Sequence, residues 1–464
     1  MDRQRRKFLR AAAAGGMAYA FGRTPGTVHA QMTGGGNFAD YKAMVCLFMF
    51  GGNDSWNMVV PNSTAEYNAY AAARGAGTTS SLAIPQSELL QLNPLAPPMG
   101  GASFGLHPSM PGVQQLFNSG RAAVIANVGP LITPTTKAQY QNATNLNHPL
   151  PPQLFSHNDQ QDQWHSLRGK QVLKSGWGGR VADVLNSQTG AQQLSLNVSL
   201  AGQTFFQAGE VASPYVMGAT GAQTFQGFGS TGTNLARRSA FEAVLNANYN
   251  TVYERGFATV QRRAVQFADR VNAALVTAQP FVALPDAGLP LSSLATQLRT
   301  VAKMIRAREQ LTMSRQIFFV STGGFDTHDD QVADQPGLLG NISNSVSLFY
   351  QALTEMGMEN SVTLFTHSDF GRTLTSNGDG SDHAWGGVQL VVGGAVRGQQ
   401  IYGNYPVLSL NSPNDVGGGR IIPTISADQY AATLARWFGV QDSQLAQVAP
   451  NLGNFTQRDL GFMI

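Results

Sequence analysis

Lys42-Ala-Met-Val-Cys-Leu-Phe-Met-Phe50, followed at once by Gly51-Gly52-Asn53-Asp54, is a continuous apolar run that stops on two glycines. A run of that length without polar alternation reads as a strand buried on both faces, as in a parallel sheet covered by helices. Four further stretches repeat it: Arg121–Gly129, Gln316–Thr322, Ser361–His367 and Gly386–Gly394. Between the third and fourth of these five runs, Leu339, Ile342, Val346, Phe349, Leu353 and Met356 step by three and four, as on one helix face. Strand, helix, strand in this order predicts a doubly wound, mostly parallel α/β sheet flanked by helices. Its binding groups are then expected at the carboxyl ends of the strands.

Residues 234–276 and 291–311 also have helical spacing, and Ser426 is a fit N-cap for a closing helix that carries Tyr430, Leu434, Trp437 and Phe438. The stretch from about 186 to 232 is rich in Gly, Gln, Ser and Thr and reads as an inserted, β-rich or irregular subdomain. There is no tandem repeat.

Residues 1–30 read as a leader: Arg5-Arg6-Lys7-Phe8-Leu9-Arg10, a weakly apolar Ala/Gly stretch from Ala11 to Phe21, and Val28-His29-Ala30 as a cleavage site. Paired arginines before Phe-Leu are the pattern of the twin-arginine exporter, so that machinery is an expected partner and the mature chain, 31–464, is expected as one periplasmic or secreted domain. The leader's apolar stretch falls short of the roughly 20 residues that span a bilayer, and no integral membrane segment is expected in the mature chain. Changing Arg5 and Arg6 together to Lys is expected to leave uncleaved precursor in the cytoplasm, checked by fractionation; normal processing would remove the twin-arginine assignment.

The formal charge of the whole chain is +3. Six basic residues against Asp2 put +5 of it in the leader, leaving the mature chain near −2. The basic stripe that nucleic-acid binding requires is therefore missing, and no nucleic-acid partner is expected. Cys46 is the only cysteine, which excludes an intrachain disulfide and a thiolate metal cluster. Any metal must be held by Asp, Glu, His or backbone oxygen.

Four segments place acids and histidines just after apolar runs: Gly51-Gly-Asn-Asp54-Ser-Trp-Asn57, Gly323-Gly-Phe-Asp326-Thr-His328, His367-Ser-Asp369-Phe-Gly-Arg372 and Ser381-Asp-His383. Singly, Asp and Asn are ordinary turn residues. Together these segments line the binding edge of a doubly wound sheet, and His157 and His165 lie near by. Carboxylate and imidazole donors suit zinc, manganese or iron.

In order and spacing these segments resemble the domain-of-unknown-function 1501 family, whose members are twin-arginine-exported and related in fold to alkaline phosphatases and sulfatases. The resemblance runs from about Met44 to Val440. It includes Leu106-His107-Pro108, Ser156-His157-x-Asp159-x-Gln161-Asp162-x-Trp164 and Tyr430-Ala-Ala-Thr-Leu-Ala-Arg-Trp-Phe-Gly-Val440. It implies that Asp54 binds one metal and that Asp326 with His328 binds another. Asp369 and His383 would complete the sites, with His157 close by, and the cofactor would be a divalent metal such as Zn or Mn. Ser156 reads two ways, as the superfamily nucleophile or as an N-cap beside a ligand. Arg372 also reads two ways, as the group that pairs with a phosphate or sulfate oxyanion or as a salt-bridge partner of a neighbouring carboxylate. Two departures stand out: Phe370 occupies the place of a superfamily histidine, and Asp369 stands where the family commonly has Glu. His367 is either a replacement imidazole or a buried structural residue.

The resemblance implies a metal-dependent hydrolase of small anionic phosphate or sulfate esters. The alternative is a non-catalytic secreted scaffold or binding module that keeps the fold. Asp54, Asp326, Asp369, His328 and His383 are expected to converge within a sphere roughly 8 Å across, with His157 near it and His107 outside.

Overall fold

The computed structural model describes residues 38–96, 101–143, 147–189, 194–224 and 227–464. The expected leader lies outside them. Fourteen strands occur among the described residues: β1 (Lys42–Met49), β2 (Val59–Pro61), β3 (Leu90–Leu92), β4 (Phe104–Leu106), β5 (Ala122–Gly129), β6 (Asn197–Ser199), β7 (Tyr215–Val216), β8 (Arg315–Thr322), β9 (Val362–Ser368), β10 (Arg372–Ser376), β11 (Ser381–His383), β12 (Gly387–Val392), β13 (Ile401–Tyr402) and β14 (Ile425–Ser426). The main sheet runs β13-β5-β12-β9-β1-β8-β6-β7, and β14 also pairs with β5.

Pairing is parallel between β1 and each of β8 and β9, and between β6 and each of β7 and β8. Only β12 is reversed, antiparallel to both β9 and β5. A strand buried on both faces reads the same in either direction, so its apolar run carries no sign of this reversal. The Gly/Gln/Ser-rich stretch is stitched into the sheet, because it supplies β6 and β7 at one edge.

Successive residues of β1 feed opposite faces. Val45, Leu47 and Met49 belong to a core shared with the helices Ser293–Arg306 and Gln331–Glu355, which packs Leu298, Val301, Leu339 and Phe349. Met44, Cys46 and Phe48 belong to a second core with the helices Trp177–Leu185 and Ala427–Phe438. Ser426 caps the last of these as its sequence predicts: its side chain accepts from Asp428 N, and Gln429 reaches back to complete a capping box. Among the described residues no helix is long and apolar enough to cross a membrane.

Register aligns the functional edge. Met49 sits opposite both Thr322 and Ser368, so β1, β8 and β9 end at one level and their loops leave together. The antiparallel β12 begins at this same edge, directly after His383. Gly51 and Gly52 have φ of +115° and +86°, and a Cβ on Gly51 would lie 2.3 Å from Asp326 N. A side chain there would force apart the loops after β1 and β8.

His165 and His367 are buried on the second face, among Phe48, Trp164, Trp177, Phe206 and Phe319. His367 Nδ1 lies 3.9 Å from Cys46 Sγ, so this imidazole turns into the core and does not join the site loops. Burial lowers the His165 pKa from 6.5 to about 3. Above pH 6.5 the ring is neutral folded or unfolded. As pH falls below that value only the unfolded chain takes the proton, and stability drops by up to about 1.4 kcal/mol per pH unit. His165→Phe is expected to flatten this acid limb between pH 6.5 and 4 in urea titrations; an unchanged slope would contradict it.

Candidate metal centre

The loops leaving β1, β8 and β9, the β10–β11 hairpin and the start of the helix His157–Ser166 meet at one end of the sheet. Asp326 Oδ1 is the meeting point. It lies 3.3 Å from His157 Nε2, 3.3 Å from His328 Nε2 and 3.4 Å from His383 Nε2. The ligand atoms of His157, Asp326 and His383 all lie within 4.8 Å of one another, and His328 Nε2 is 2.8 Å from His383 Nε2. These side chains are between 24% and 49% exposed, so the cluster opens to solvent.

Each imidazole is aimed from behind. His157 Nδ1 donates to Asp369 Oδ2 at 2.6 Å, His383 Nδ1 donates to the Phe155 carbonyl at 2.8 Å, and His328 Nδ1 lies 3.3 Å from Asp382 Oδ1. In His157 and His383 a proton held on Nδ1 leaves Nε2 as a lone pair, the tautomer that metal-binding histidines take. His157 Nε2 is buried with no hydrogen-bond partner, though it faces Asp326 Oδ1. Two acceptors so placed repel unless a proton or a cation lies between them. On a zinc-like ion two ligands at about 2.0–2.1 Å and a tetrahedral angle stand roughly 3.3–3.4 Å apart, the spacing of Asp326 Oδ1 from each imidazole, whereas the His328–His383 pair is closer, at 2.8 Å.

Electrostatics put the groups in ligand-ready form. Burial pushes the Asp326 pKa up, but the Arg372 hydrogen bond and charge, helped by His157 and His328, bring it below the ordinary carboxylate value. Burial lowers the pKa of His383 and the Phe155 hydrogen bond opposes it; nearby Arg372, His157 and His328 lower it further. An ionised carboxylate and a neutral imidazole are the forms that bind a metal.

Three expected residues stand elsewhere. Asp54 does not converge with the cluster: its fully buried carboxylate accepts from Arg74 Nη2 at 2.5 Å, Gln331 Nε2 at 2.5 Å and Trp56 N at 3.2 Å. Asp369 meets the cluster only through His157, since its Oδ2 accepts from His157, Gln161 Nε2 and Gly51 N. Arg372 is buried and spent, donating to the carbonyls of Gly51, Gly52, Phe325 and Ser381 and to Asp326. Of the two readings of Arg372, the geometry is the salt bridge to a neighbouring carboxylate, and its side chain is fully buried.

Ser156 occupies the N-cap position but makes no capping hydrogen bond; its Oγ donates to Asp159 Oδ2 at 2.8 Å. Phe370, standing where the superfamily has histidine, packs its ring against His157 and His383 at centroid distances of 4.7 and 4.5 Å. It also fills the space a Cβ on Gly52 would need. His107 lies outside, buried, with Nδ1 accepting from Ser109 N.

Sequence reasoning missed Arg74, Gln331 and Arg420, and gave Asp382 no role of its own beside His383. Arg420 is half-buried beside the cluster: Nε donates to the His383 carbonyl at 3.1 Å, and the guanidinium lies 5.4 Å from the Phe155 ring centroid. Among the described residues it has no carboxylate partner, unlike Arg74 and Arg372. An open groove of about 620 Å³, lined by His148, Pro151, Pro152, Arg168 and Lys170 among others, shares no residue with the cluster.

Residues 41–448 match the family described as "Protein of unknown function (DUF1501)". The chain belongs to this family. No curated protein matches this DUF1501 chain in sequence. Among solved structures it is similar to Ps i-CgsB in complex with k-i-k-neocarrahexaose, at 8% identity and a TM-score of 0.35, covering 87% of this chain and 74% of the other. It is similar to the sulfatase PsFucS1 from Pseudoalteromonas sp., at 11% identity and a TM-score of 0.32, covering 96% and 73%. It is also similar to the C-terminal periplasmic domain of EcEptC from Escherichia coli in complex with Zn, at 9% identity and a TM-score of 0.27, covering 77% and 74%.

Proposed function

We propose that this DUF1501 protein is an exported, metal-dependent hydrolase of phosphate or sulfate esters, acting in the periplasm or outside the cell. The observation that carries the reading is the gathering of His157, His383 and Asp326, whose ligand atoms lie within 4.8 Å of one another, with His328 Nε2 3.3 Å from the same carboxylate oxygen. His157, His328, His383 and Asp326 would hold a divalent ion, and so nitrogen-rich a set suits zinc better than manganese. When bound, such an ion supplies Lewis-acid polarisation of an ester oxygen.

The chain's own groups do the rest. Asp369 and the Phe155 carbonyl keep the Nδ1 protons of His157 and His383 in place, fixing the Nε2 lone pairs toward the site. Arg420 offers the partly exposed guanidinium that a tetrahedral oxyanion requires, the role Arg372 is too committed to fill. Ser156, next to His157, is the nucleophile in this reading, with Asp159 in reach of its proton at 2.8 Å.

The test is a panel of aryl phosphates and sulfates with metal-replete protein. Ser156→Ala is expected to abolish turnover while metal content and melting temperature stay nearly unchanged. Arg420→Ala is expected to raise KM about tenfold or more with a smaller change in kcat, since it removes an oxyanion contact of the kind worth about 1.5–3 kcal/mol. No turnover on any ester, together with a stability change in Ser156→Ala, would replace the hydrolase by the scaffold or binding-module reading.

A further inference from the structure

The resemblance to a two-metal superfamily gives Asp54 to one ion and Asp326 with His328 to another, yet the structure exposes these two acids very differently. Asp326 accepts from the buried Arg372 on Oδ1, but it is 49% exposed and the same oxygen faces three imidazoles. Asp54 is fully buried and paired with Arg74, whose side chain is also fully buried.

We propose that this site takes one dication of the zinc class, and that the buried guanidinium of Arg74 permanently supplies the positive charge a second ion would bring to Asp54. The proposal rests on the metal-centre reading above and sharpens it to a stoichiometry.

The hydrogen bonds around Asp54 leave no room for a competing cation. Oδ1 accepts from Arg74 Nη2 and from Trp56 N, at 2.5 and 3.2 Å. Oδ2 accepts from Gln331 Nε2 at 2.5 Å, and the main-chain oxygen accepts from Gln335 Nε2 at 2.8 Å. Turned round, the Gln331 amide would set its oxygen against the Asp54 carboxylate, so its N–H side faces that acid, and its Oε1 accepts from the hydroxyls of Ser381 and Thr327, at 2.5 and 3.4 Å. Both Asp54 oxygens are therefore presented to donors, and a metal needs them as lone pairs.

Arg74 is held as firmly. It forms the C-cap of the helix Thr64–Ala73, and its Nη1 donates to the Thr373 carbonyl at 3.1 Å, just beyond Arg372 on β10. A second dication at Asp54 would have to displace a fully buried guanidinium, and would then stand beside it as a like charge. Among the described residues, the buried carboxylate oxygen near by that has no partner is Oδ1 of Asp369, a single ligand where a zinc-like ion takes about four. The Arg74–Asp54 pair also connects to the working cluster. Gln331 joins Asp54 to Ser381 and Thr327, the neighbours of Asp382 and His328, so the internal cation braces the loops that carry the ligands.

The test strips the full-length protein with a chelator and titrates it with Zn²⁺, and separately with Co²⁺, whose visible absorption is intense in a tetrahedral site. One equivalent per chain with a tetrahedral cobalt spectrum is expected. Asp54→Asn is expected to keep both the stoichiometry and the spectrum, whereas Asp326→Asn should lose affinity at least tenfold. Two equivalents in the wild type would overturn the proposal and leave the metal-centre reading standing. An Asp54→Asn protein that weakens zinc as much as Asp326→Asn would also overturn the proposal alone. Zero equivalents would overturn the metal-centre reading and the proposal with it. The wild-type stoichiometry decides the matter even if Asp54→Asn does not fold.

Discussion

Asp326→Asn is expected to lower bound zinc at least tenfold and to take ester hydrolysis down with it, while leaving the metal-free fold close to the wild type. Asn keeps the oxygen that accepts from Arg372, so the clamp between the loops after β1 and β8 survives. What it loses is the negative charge on which His157, His328 and His383 converge. A ligand that binds only the folded state stabilises it by mass action. Chelator should therefore lower the melting temperature of the wild type and leave that of Asp326→Asn unmoved. If instead both proteins respond equally to chelator, the ion lies elsewhere and Asp326 is an ordinary loop carboxylate held by Arg372.

Arg74→Met is expected to be among the most destabilising single changes in the chain. It leaves Asp54 charged and fully buried with only neutral donors. Breaking a buried pair by removing one partner costs about 3–5 kcal/mol, because the remaining charge is uncompensated. Asp54→Asn should then recover part of the loss when combined with Arg74→Met, since the double variant removes both charges. Urea titrations of the two single variants and the double variant form a cycle that reads the coupling directly. A cost under about 1 kcal/mol for Arg74→Met would mean the pair is hydrated in solution.

Much of this was legible in the sequence, and the parts that were not share a physical cause. The apolar runs that became β1, β5, β8, β9 and β12 announced themselves because strands covered on both faces have no polar positions to interrupt them. The reversal of β12 stayed hidden for the same reason. His157, His328, His383 and Asp326 were legible because each follows or precedes an element that ends at the functional edge. Their partners were not. Arg74 lies 20 residues beyond Asp54 at the end of a helix, and nothing local marks it as that acid's counter-ion. Arg372 and Arg420 illustrate the limit most sharply: the first stands in a motif and is consumed by backbone carbonyls, while the second stands in no motif and retains a partly exposed charge beside the cluster. Sequence shows which residue types are near a strand end. Which donors are already taken depends on contacts hundreds of residues apart, such as Arg372 with Gly51 and Gly52.

The stretch from 186 to 232 shows the same division. Its Gly, Ser and Gln content reads as short strands and turns, and Asn197–Ser199 pairs with β8, with Gln207 bonding the carbonyls of both Val198 and Ile317. That tie is tertiary, and composition alone suggests a separate unit.

The central claim is that one cation belongs between the Nε2 atoms of His157, His328 and His383 and the carboxylate of Asp326. Anomalous diffraction from crystals of the zinc-replete protein, collected on either side of the zinc absorption edge, tests it most directly. The account predicts a single strong peak within bonding distance of Asp326 and the converging imidazoles, and none beside Asp54. A peak at Asp54, or no peak among the three histidines, would contradict it.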